Sequence, residues 1–400
     1  MDSKNKNMSK LKKIPKSIWT LGIVSLFMDI SSEIIHSLLP IFMVSILGSS
    51  IIAIGIVEGI SEATFLLIRI FSGVLSDYLG KRKIISVIGY GISALSKPLF
   101  PLANSVSLIL IARFFDRLGK GVRESPRDAL IGDIAPKSIR GACFGLRQSL
   151  DTIGALIGPI VAILGLLIFS NNIRAILWVS VIPAILSVVI FIVGIHDVEH
   201  KYTEDEKTFI FKFKNIFKIG TEYWQIVLIG GLLNLARFSD AFLILKAYEL
   251  GLPITYVPLV MVLMNCFYAV SSYPAGILSD NINRKFILII GIVFLIIADL
   301  VLAFTDSTWM LALGVGFWGM HMAFTKGILD AMVTDTASIR LLGSAYGIFN
   351  FVCGIAVLFA SIISGVLWQV YGPFYSFSVG AFLAFLACLS LSLLIKNNNI

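Results

Sequence analysis

The sequence predicts an all-α membrane protein with twelve transmembrane helices, arranged as two pseudo-symmetric halves of six. The first observation is composition: the 400 residues are 57% hydrophobic and 14% charged, with a mean hydropathy of +0.92. Soluble domains carry about 25% charged residues. Most of this chain must therefore face lipid or other apolar helices.

The second observation is a motif that occurs twice. Residues 73–83 read GVLSDYLGKRK, and 203 residues after its first glycine the segment 276–285 reads GILSDNINRK. Another pair agrees, because DALIGD at 128–133 is followed 202 residues later by DAMVTD at 330–335. Two halves of one membrane protein are duplicates, an organisation typical of transporters.

The third observation is a series of long apolar segments. A helix needs about 20 mostly apolar residues to cross a bilayer. Twelve segments meet this requirement, at 18–46, 50–76, 84–103, 106–132, 138–168, 173–195, 221–248, 253–279, 286–305, 308–334, 343–370 and 373–395.

The connections between these segments alternate in charge. Odd-numbered connections are short and nearly uncharged, whereas even-numbered ones carry lysine and arginine. The positive-inside rule then places both termini in the cytoplasm. The net charge of +8 comes from these loop clusters, so nucleic-acid binding is not expected. The predicted organisation is a basic tail at 1–17, a six-helix half at 18–195, a hydrophilic linker at 196–220 and a second half at 221–396.

The repeated motif carries a family resemblance. Residues 73–83 resemble the signature between the second and third spans of the major facilitator superfamily, and 276–285 is similar to its second-half copy. Arg113 and Gly121 resemble the family's arginine–glycine motif in span four, and GALIGP at 154–159 is similar to a motif associated with antiporters. The resemblance covers nearly the whole chain, and it implies the superfamily's fold and transport of a small-molecule substrate.

The loop motif predicts a cytoplasmic gate. Asp77, at the end of span two, can accept from a neighbouring helix N-terminus, where an anion is favoured. Lys81 and Arg82 can pair with an acid on another span, for which Asp128 is the candidate. The alternative is that these basic residues only set topology. The predicted gate comprises Gly73, Asp77, Gly80, Lys81, Arg82, Asp128, Asp280, Arg284 and Asp330.

Charged residues also fall inside the spans. Such a charge costs about 2.5–3.5 kcal/mol even on the lenient insertion scale, so each is a candidate for function. Spacings of three and four place Asp29, Glu33 and His36 on one helix face, and Arg113, Arg117 and Lys120 on another. We predict proton coupling by Asp29, Glu33 or Glu62. The predicted substrate contacts are Arg117, Asp116, Asp151, Arg237, Asn265 and His321.

A second interpretation of these charges is structural, as ion pairs that fix helix packing. Cationic side chains favour an anionic or zwitterionic solute, but the acids are as numerous. An energy-independent facilitator and a drug or lipid efflux protein are the alternative functions. The direction of transport stays open, with a slight preference for export.

Other classes of function are excluded or not indicated. None of the four histidines has the partner residues of a metalloenzyme helix, and no Gly-x4-Gly-Lys-Ser/Thr loop is present. The chain is therefore predicted not to be an enzyme, with no cofactor and no metal site. We expect a multi-pass, monomeric protein of the bacterial inner membrane whose partners are lipid, a small-molecule substrate and protons.

Overall fold

A computed structural model describes residues 14–195, 220–336 and 341–394. Within these ranges the regular structure is helical, which confirms the predicted all-α class. The α-helices up to residue 195 are α1 Lys16–Ile41, α2 Ile51–Leu79, α3 Arg82–Ser96, α4 Leu99–Leu102, α5 Val106–Ile134, α6 Arg140–Ile168, α7 Ile173–Val179 and α8 Val181–Gly194. Those after it are α9 Thr221–Ala236, α10 Ala241–Glu249, α11 Leu259–Asn281, α12 Arg284–Ala303, α13 Thr308–Thr336, α14 Leu342–Tyr371 and α15 Pro373–Leu394.

Ten candidate spans in the described ranges are long and apolar enough to cross a membrane. The predicted fourth and tenth spans lie outside that set, although each forms a helix of 29 residues, α5 and α13. Helix α5 is dense in charge, and the apolar run of α13 is interrupted by glycines, Trp318 and His321. The count of twelve spans and the cytoplasmic termini stay predictions.

The chain packs as two compact units. Among the described residues, the first unit holds 14–36 and 68–195, and the second holds 37–67, 220–336 and 341–394. The predicted halves are 18–195 and 221–396. The packing differs from this division because segment 37–67, predicted in the first half, belongs to the second unit. Most of the predicted tail and nearly all of the predicted linker lie outside the described residues.

Close packing explains why 37–67 belongs to the second unit. A methyl group built on Gly59 of α2 would lie 2.8 Å from the carbonyl oxygen of Leu358 on α14. One built on Gly365 of α14 would lie 3.1 Å from the carbonyl oxygen of Ile51. The missing side chains thus let the two backbones approach, as small residues do between membrane helices.

Several predicted spans are broken helices. The third consists of α3 and α4 with Lys97 and Pro98 between them, and the seventh consists of α9 and α10 with residues 237–240 between them. Pro98 has no backbone N–H and so cannot donate the hydrogen bond that would continue α3, although Lys97 keeps helical dihedral angles. Non-helical backbone at membrane depth is tolerated where it is buried in protein or lines an aqueous cavity. Arg237 has non-helical dihedral angles at its break, whereas Lys97 keeps helical ones.

Candidate functional site

The candidate site is a buried group of charged side chains in the first unit, on α1, α3, α5 and α6. Helix α5 supplies most of it. Its N-terminus is capped by Ser105, whose hydroxyl accepts from the backbone N–H of Leu108 at 3.3 Å. Spacings of three and four place its basic residues on the inner face, while Phe114 and Phe115 are exposed on the other side. The buried charged residues of α5 are Arg113, Asp116, Arg117, Arg123 and Arg127.

Glycines bring α3 and α5 unusually close. A methyl group built on Gly119 would lie 2.5 Å from Ser93 Oγ, and one built on Gly89 would lie 2.6 Å from the backbone nitrogen of Arg123. The Arg123 guanidinium lies 4.9 Å from the centre of the Tyr90 ring and donates to Ser93 Oγ at 2.5 Å. Cation–π contact and a hydroxyl acceptor thus hold this cation inside the unit.

Lys97 forms the most deeply buried ion pair among the described salt bridges. Its Nζ lies 2.7 Å from Asp116 Oδ1 and donates to Ser32 Oγ at 2.9 Å, and the lysine side chain has no exposed surface. Arg113 Nη1 lies 4.0 Å from the other oxygen of Asp116. The sequence-based reasoning missed Lys97, although a lysine before proline inside an apolar segment was a visible signal. Asp116, a predicted substrate contact, is held by these cations.

The acidic face of α1 packs against α6. A methyl group built on Gly154 would lie 3.0 Å from Asp29 Cβ, and one built on Gly158 would lie 2.6 Å from Glu33 Cβ. Glu33 Oε2 is 3.6 Å from Nδ1 of His36. The two glycines of the 154–159 motif therefore accommodate the two acids that the sequence singles out on α1.

Cations of α5 act electrostatically on these acids. Arg117 and Lys120 lie within interaction range of Glu33. Lys120 and Arg123 lie within range of Asp29, and so does the carboxylate of Asp151 on α6. The structure thus brings Asp29, Glu33, Arg117 and Asp151 into one cluster.

The remaining charges of this cluster lie towards the end of α5. Arg127 Nη1 donates to Ser25 Oγ at 3.0 Å, and its guanidinium contacts Asp128 at 3.1 Å. Arg147 of α6 lies 3.7 Å from Asp128 and 2.7 Å from Asp151. Asp128 and Asp151 are therefore bridged by one arginine.

The loop motif forms the same contact in both halves. Arg82 donates to the carbonyl oxygen of Ala129 at 3.0 Å and forms an ion pair with Asp133. Arg284 donates to the carbonyl oxygen of Ala331 at 3.2 Å and forms an ion pair with Asp335. We call each of these arrangements a clamp.

Other predicted gate residues are placed as follows. Asp128 is the predicted partner of Arg82, but Arg82 pairs with Asp133, five residues further along α5. Asp128 instead contacts Arg127 and Arg147. Gly80 has φ +63° and ends α2 in the left-handed conformation that glycine accommodates. The side chains of Asp77 and Asp280 lie outside the described part. Gly73 packs against Ser125, and Lys81 is exposed. The backbone carbonyl oxygen of Asp330 accepts a hydrogen bond from the Tyr346 hydroxyl.

The predicted site residues of the second unit are more dispersed. His321 is fully buried with Nδ1 3.2 Å from the carbonyl oxygen of Gly291, and Trp318 Nε1 donates to Asp240 at 2.8 Å. Arg237 is half-buried at the break after α9. Asn265 is buried on α11.

Glu62 lies in the second unit, on the same helix as Glu58, whose carboxylate accepts from Ser239 at 3.3 Å. The predicted coupling acids are thus divided, with Asp29 and Glu33 in the first unit. Among the described residues, no group of three or more His, Cys, Asp or Glu side chains could hold a metal ion.

Comparison with known proteins identifies the family. The family model described as Major Facilitator Superfamily matches residues 21–245 and 227–399. The chain belongs to this superfamily. It is 33% identical over 394 residues to the uncharacterized MFS-type transporter MJ1317 of Methanocaldococcus jannaschii, a match that covers 96% of each chain. It is therefore a multi-pass integral membrane protein of a transporter family, as the repeated motif indicated.

Solved structures agree on the fold. The D-xylose-proton symporter has a TM-score of 0.75 at 17% identity, covering 95% of this chain and 97% of its own. The nucleoside transporter NupG has a TM-score of 0.75 at 13% identity, covering 94% and 98%. A shorter sequence match, 25% identical over 144 residues, is to the quinolone resistance protein NorA of Staphylococcus aureus; it covers 36% of this chain and 37% of NorA.

Proposed function

We propose that this superfamily member is a proton-coupled secondary transporter of a small anionic or zwitterionic solute, working by alternating access. The observation that carries the proposal is the position of Glu33, beside His36 and within range of Arg117 and Lys120. A membrane-embedded acid and a cation that face each other can exchange partners, which is the chemistry that coupling needs.

The proposed cycle uses competition for Arg117. When no solute is bound, the cations near Glu33 stabilise its ionised form. A solute carboxylate or phosphate attracts the same guanidinium, which suits such groups because it can donate two parallel hydrogen bonds. Glu33 then loses part of its stabilising charge and takes up a proton. Solute binding and proton uptake become linked.

Fixed ion pairs support the division of roles within the cluster. Asp116 is held by Lys97, and Asp151 by Arg147, each at 2.7 Å. We assign these two acids to structure. Lys120 is half-buried and lies within range of both α1 acids, so we assign it with Arg117 to the solute.

A ligand screen followed by transport tests this function. Purified protein would be screened by thermal shift against carboxylates, phosphates, amino acids and lipophilic cations. Each hit would be measured for uptake into proteoliposomes with and without an imposed pH gradient. We expect anionic or zwitterionic hits whose accumulation needs the gradient, and whose stabilisation is lost in Arg117→Gln. Arg140→Gln, at an exposed residue, is the matched control and should keep it.

Efflux of a lipophilic compound is the second candidate. The motif at 154–159 and the partial match to a quinolone resistance protein favour it. Stabilisation by lipophilic cations alone would support this candidate and contradict the anionic solute. Uptake of any hit that equilibrates without responding to the pH gradient would instead indicate an energy-independent facilitator.

The location that we propose is the bacterial inner membrane, with both termini in the cytoplasm and the monomer as the working unit. Basic connections after the even-numbered segments support this orientation. The clamps at 82 and 284 would then lie on the cytoplasmic side, where they would hold adjacent helix ends together.

A further inference from the structure

Asp299 is a buried acid that the proposed cycle does not use. It lies on α12 in the second unit, four residues before Ala303, the last residue of this 20-residue helix. At about 1.5 Å per residue, this depth is inside the hydrocarbon and nearer the end opposite the Arg284 clamp. Its side chain has no exposed surface, and both carboxylate oxygens lack a hydrogen-bond partner among the described residues.

The space around Asp299 is narrow and apolar. A methyl group built on Gly380 of α15 would lie 2.7 Å from Asp299 Oδ2, 3.0 Å from Phe238 Cε1 and 3.3 Å from the carbonyl oxygen of Ala236. The Phe238 ring packs in turn on Phe377, with ring centres 5.4 Å apart. Glycine at 380 therefore leaves room for the carboxyl group, and a backbone carbonyl lines the same space.

Several other titratable groups on the helices around Asp299 make contacts with residues other than Asp299. Nδ1 of His321 lies against Gly291, Asp240 accepts from Trp318, and Lys326 lies 5.6 Å from the ring centre of Tyr268. Arg284 is in its clamp at the start of α12. Within the described ranges, none of the salt bridges or hydrogen bonds joins Asp299 to the remaining such groups, which are Glu222, Tyr223, Arg237, Cys266, Tyr273, Lys285, Asp330, Asp335, Tyr375 and Cys388.

We propose that Asp299 is a proton-binding site of the second unit, holding a proton in this conformation and exchanging it when its packing against Gly380 opens. An ionised carboxylate here would have no cation and no donor to offset the loss of its hydration. The neutral acid fits, because its hydroxyl is a donor and the Ala236 carbonyl is an acceptor within the same space. The inference extends the proton coupling proposed above to the second unit but does not depend on Glu33.

Infrared spectroscopy of the full chain in nanodiscs tests this site, with buffer protons and D2O as the probes. The wild type should show the carbonyl band of a protonated carboxylic acid at neutral pH. The band should shift in D2O and disappear as the pH is raised. Asp299→Asn should lose it, whereas Asp306→Asn, at an exposed acid seven residues further on, should keep it.

Two outcomes would overturn the proposal. One is a band that survives Asp299→Asn; the other is a band that is lost in this variant but neither titrates nor shifts in D2O in the wild type. Should Asp299→Asn fail to fold, Gly380→Ala provides a second test, because its methyl group would press on Oδ2 and should displace the band. A carbonyl band that keeps its wild-type frequency in Gly380→Ala would contradict the assignment of the band to Asp299.

The measurement needs no solute, so its result is independent of the proposed function. A band that behaves as expected, in a protein whose transport ignores the pH gradient, would leave the Asp299 site standing and reject coupling through Glu33. Gradient-driven transport in a protein that lacks the band would reject the Asp299 site and leave coupling through Glu33 standing.

Discussion

Glu33 and Gly158 face each other where α1 packs on α6, and a methyl group built at position 158 would lie 2.6 Å from Glu33 Cβ. The contact joins two features that are 125 residues apart in the sequence, the acidic face of α1 and the 154–159 motif. It brings the backbone of α6 close to an acid on which Arg117 and Lys120 of α5 also act.

Enlarging Gly158 should disturb this contact. We expect Gly158→Val to lower stability by about 1–3 kcal/mol, because overpacking forces the two backbones apart, and to impair transport. Thermal unfolding and proteoliposome uptake measure the two effects. Gly145→Val is the matched control, since a methyl group built on this glycine of α6 meets no atom within 4 Å. Equal behaviour of the two variants would contradict the role of the contact.

Replacing Glu33 should separate coupling from binding. We expect Glu33→Gln to abolish the response of transport to a pH gradient while solute counterflow continues, because counterflow requires no net proton movement. The lost linkage corresponds to about 1–3 kcal/mol between solute and proton. Full accumulation driven by the gradient in this variant would move the coupling site elsewhere, with Asp29 next.

Breaking the Lys97–Asp116 pair should be costly for folding. Lys97→Met removes the cation closest to the buried Asp116 carboxylate. We expect the free energy of unfolding to fall by about 3–5 kcal/mol. The double variant with Asp116→Leu should recover part of this, which thermal unfolding in detergent would measure. Lys83→Met, at a lysine that donates at 3.4 Å to the carbonyl oxygen of Ile192, should change stability little.

The two clamps should differ in strength. The side chains of Arg82 and Asp133 are each 12% exposed, whereas those of Arg284 and Asp335 are 37% and 50% exposed. Exposed ion pairs contribute about 0–1 kcal/mol, so Arg284→Gln should have a small effect on stability. We expect Arg82→Gln to cost more stability and more transport. Equal losses would show that burial does not set the difference.

Cysteine labelling can test the predicted topology. A cysteine introduced at Ser50 should react with an impermeant reagent added from outside intact cells, and one at Ser138 should react only after the membrane is opened. Both serines are exposed. The opposite labelling pattern would overturn the cytoplasmic assignment of the basic connections.

Helical periodicity was sufficient to predict the faces that form the cluster. Charges at spacings of three and four on α1 and α5 must lie on one side of each helix, and desolvation drives acids and cations inside the bilayer towards each other. This is why Asp29 and Glu33 could be predicted to face Arg117 from helical spacing together with opposite charge.

Partners set by helix register could not be predicted in this way. Arg82 pairs with Asp133 and not with the predicted Asp128. The turn at Gly80 and the register of α3 on α5 determine which carboxylate the Arg82 side chain can reach. Lys97 and Asp299 were visible as charges within apolar segments, but their neighbours, Asp116 for Lys97 and Gly380 for Asp299, lie on other helices. Glu62 shows a further limit, since its helix contributes to both units.

The clamps bear on the history of the chain. Two copies of a duplicated segment can share by inheritance only what was present before they were joined. The shared arginine, carbonyl and carboxylate are therefore what duplication of a six-helix unit predicts. Asp29 and Glu62, by contrast, correspond to Leu232 and Asn265 at the 203-residue offset of the loop motif. The interior acids thus differ between the halves, while the contacts at the helix ends match.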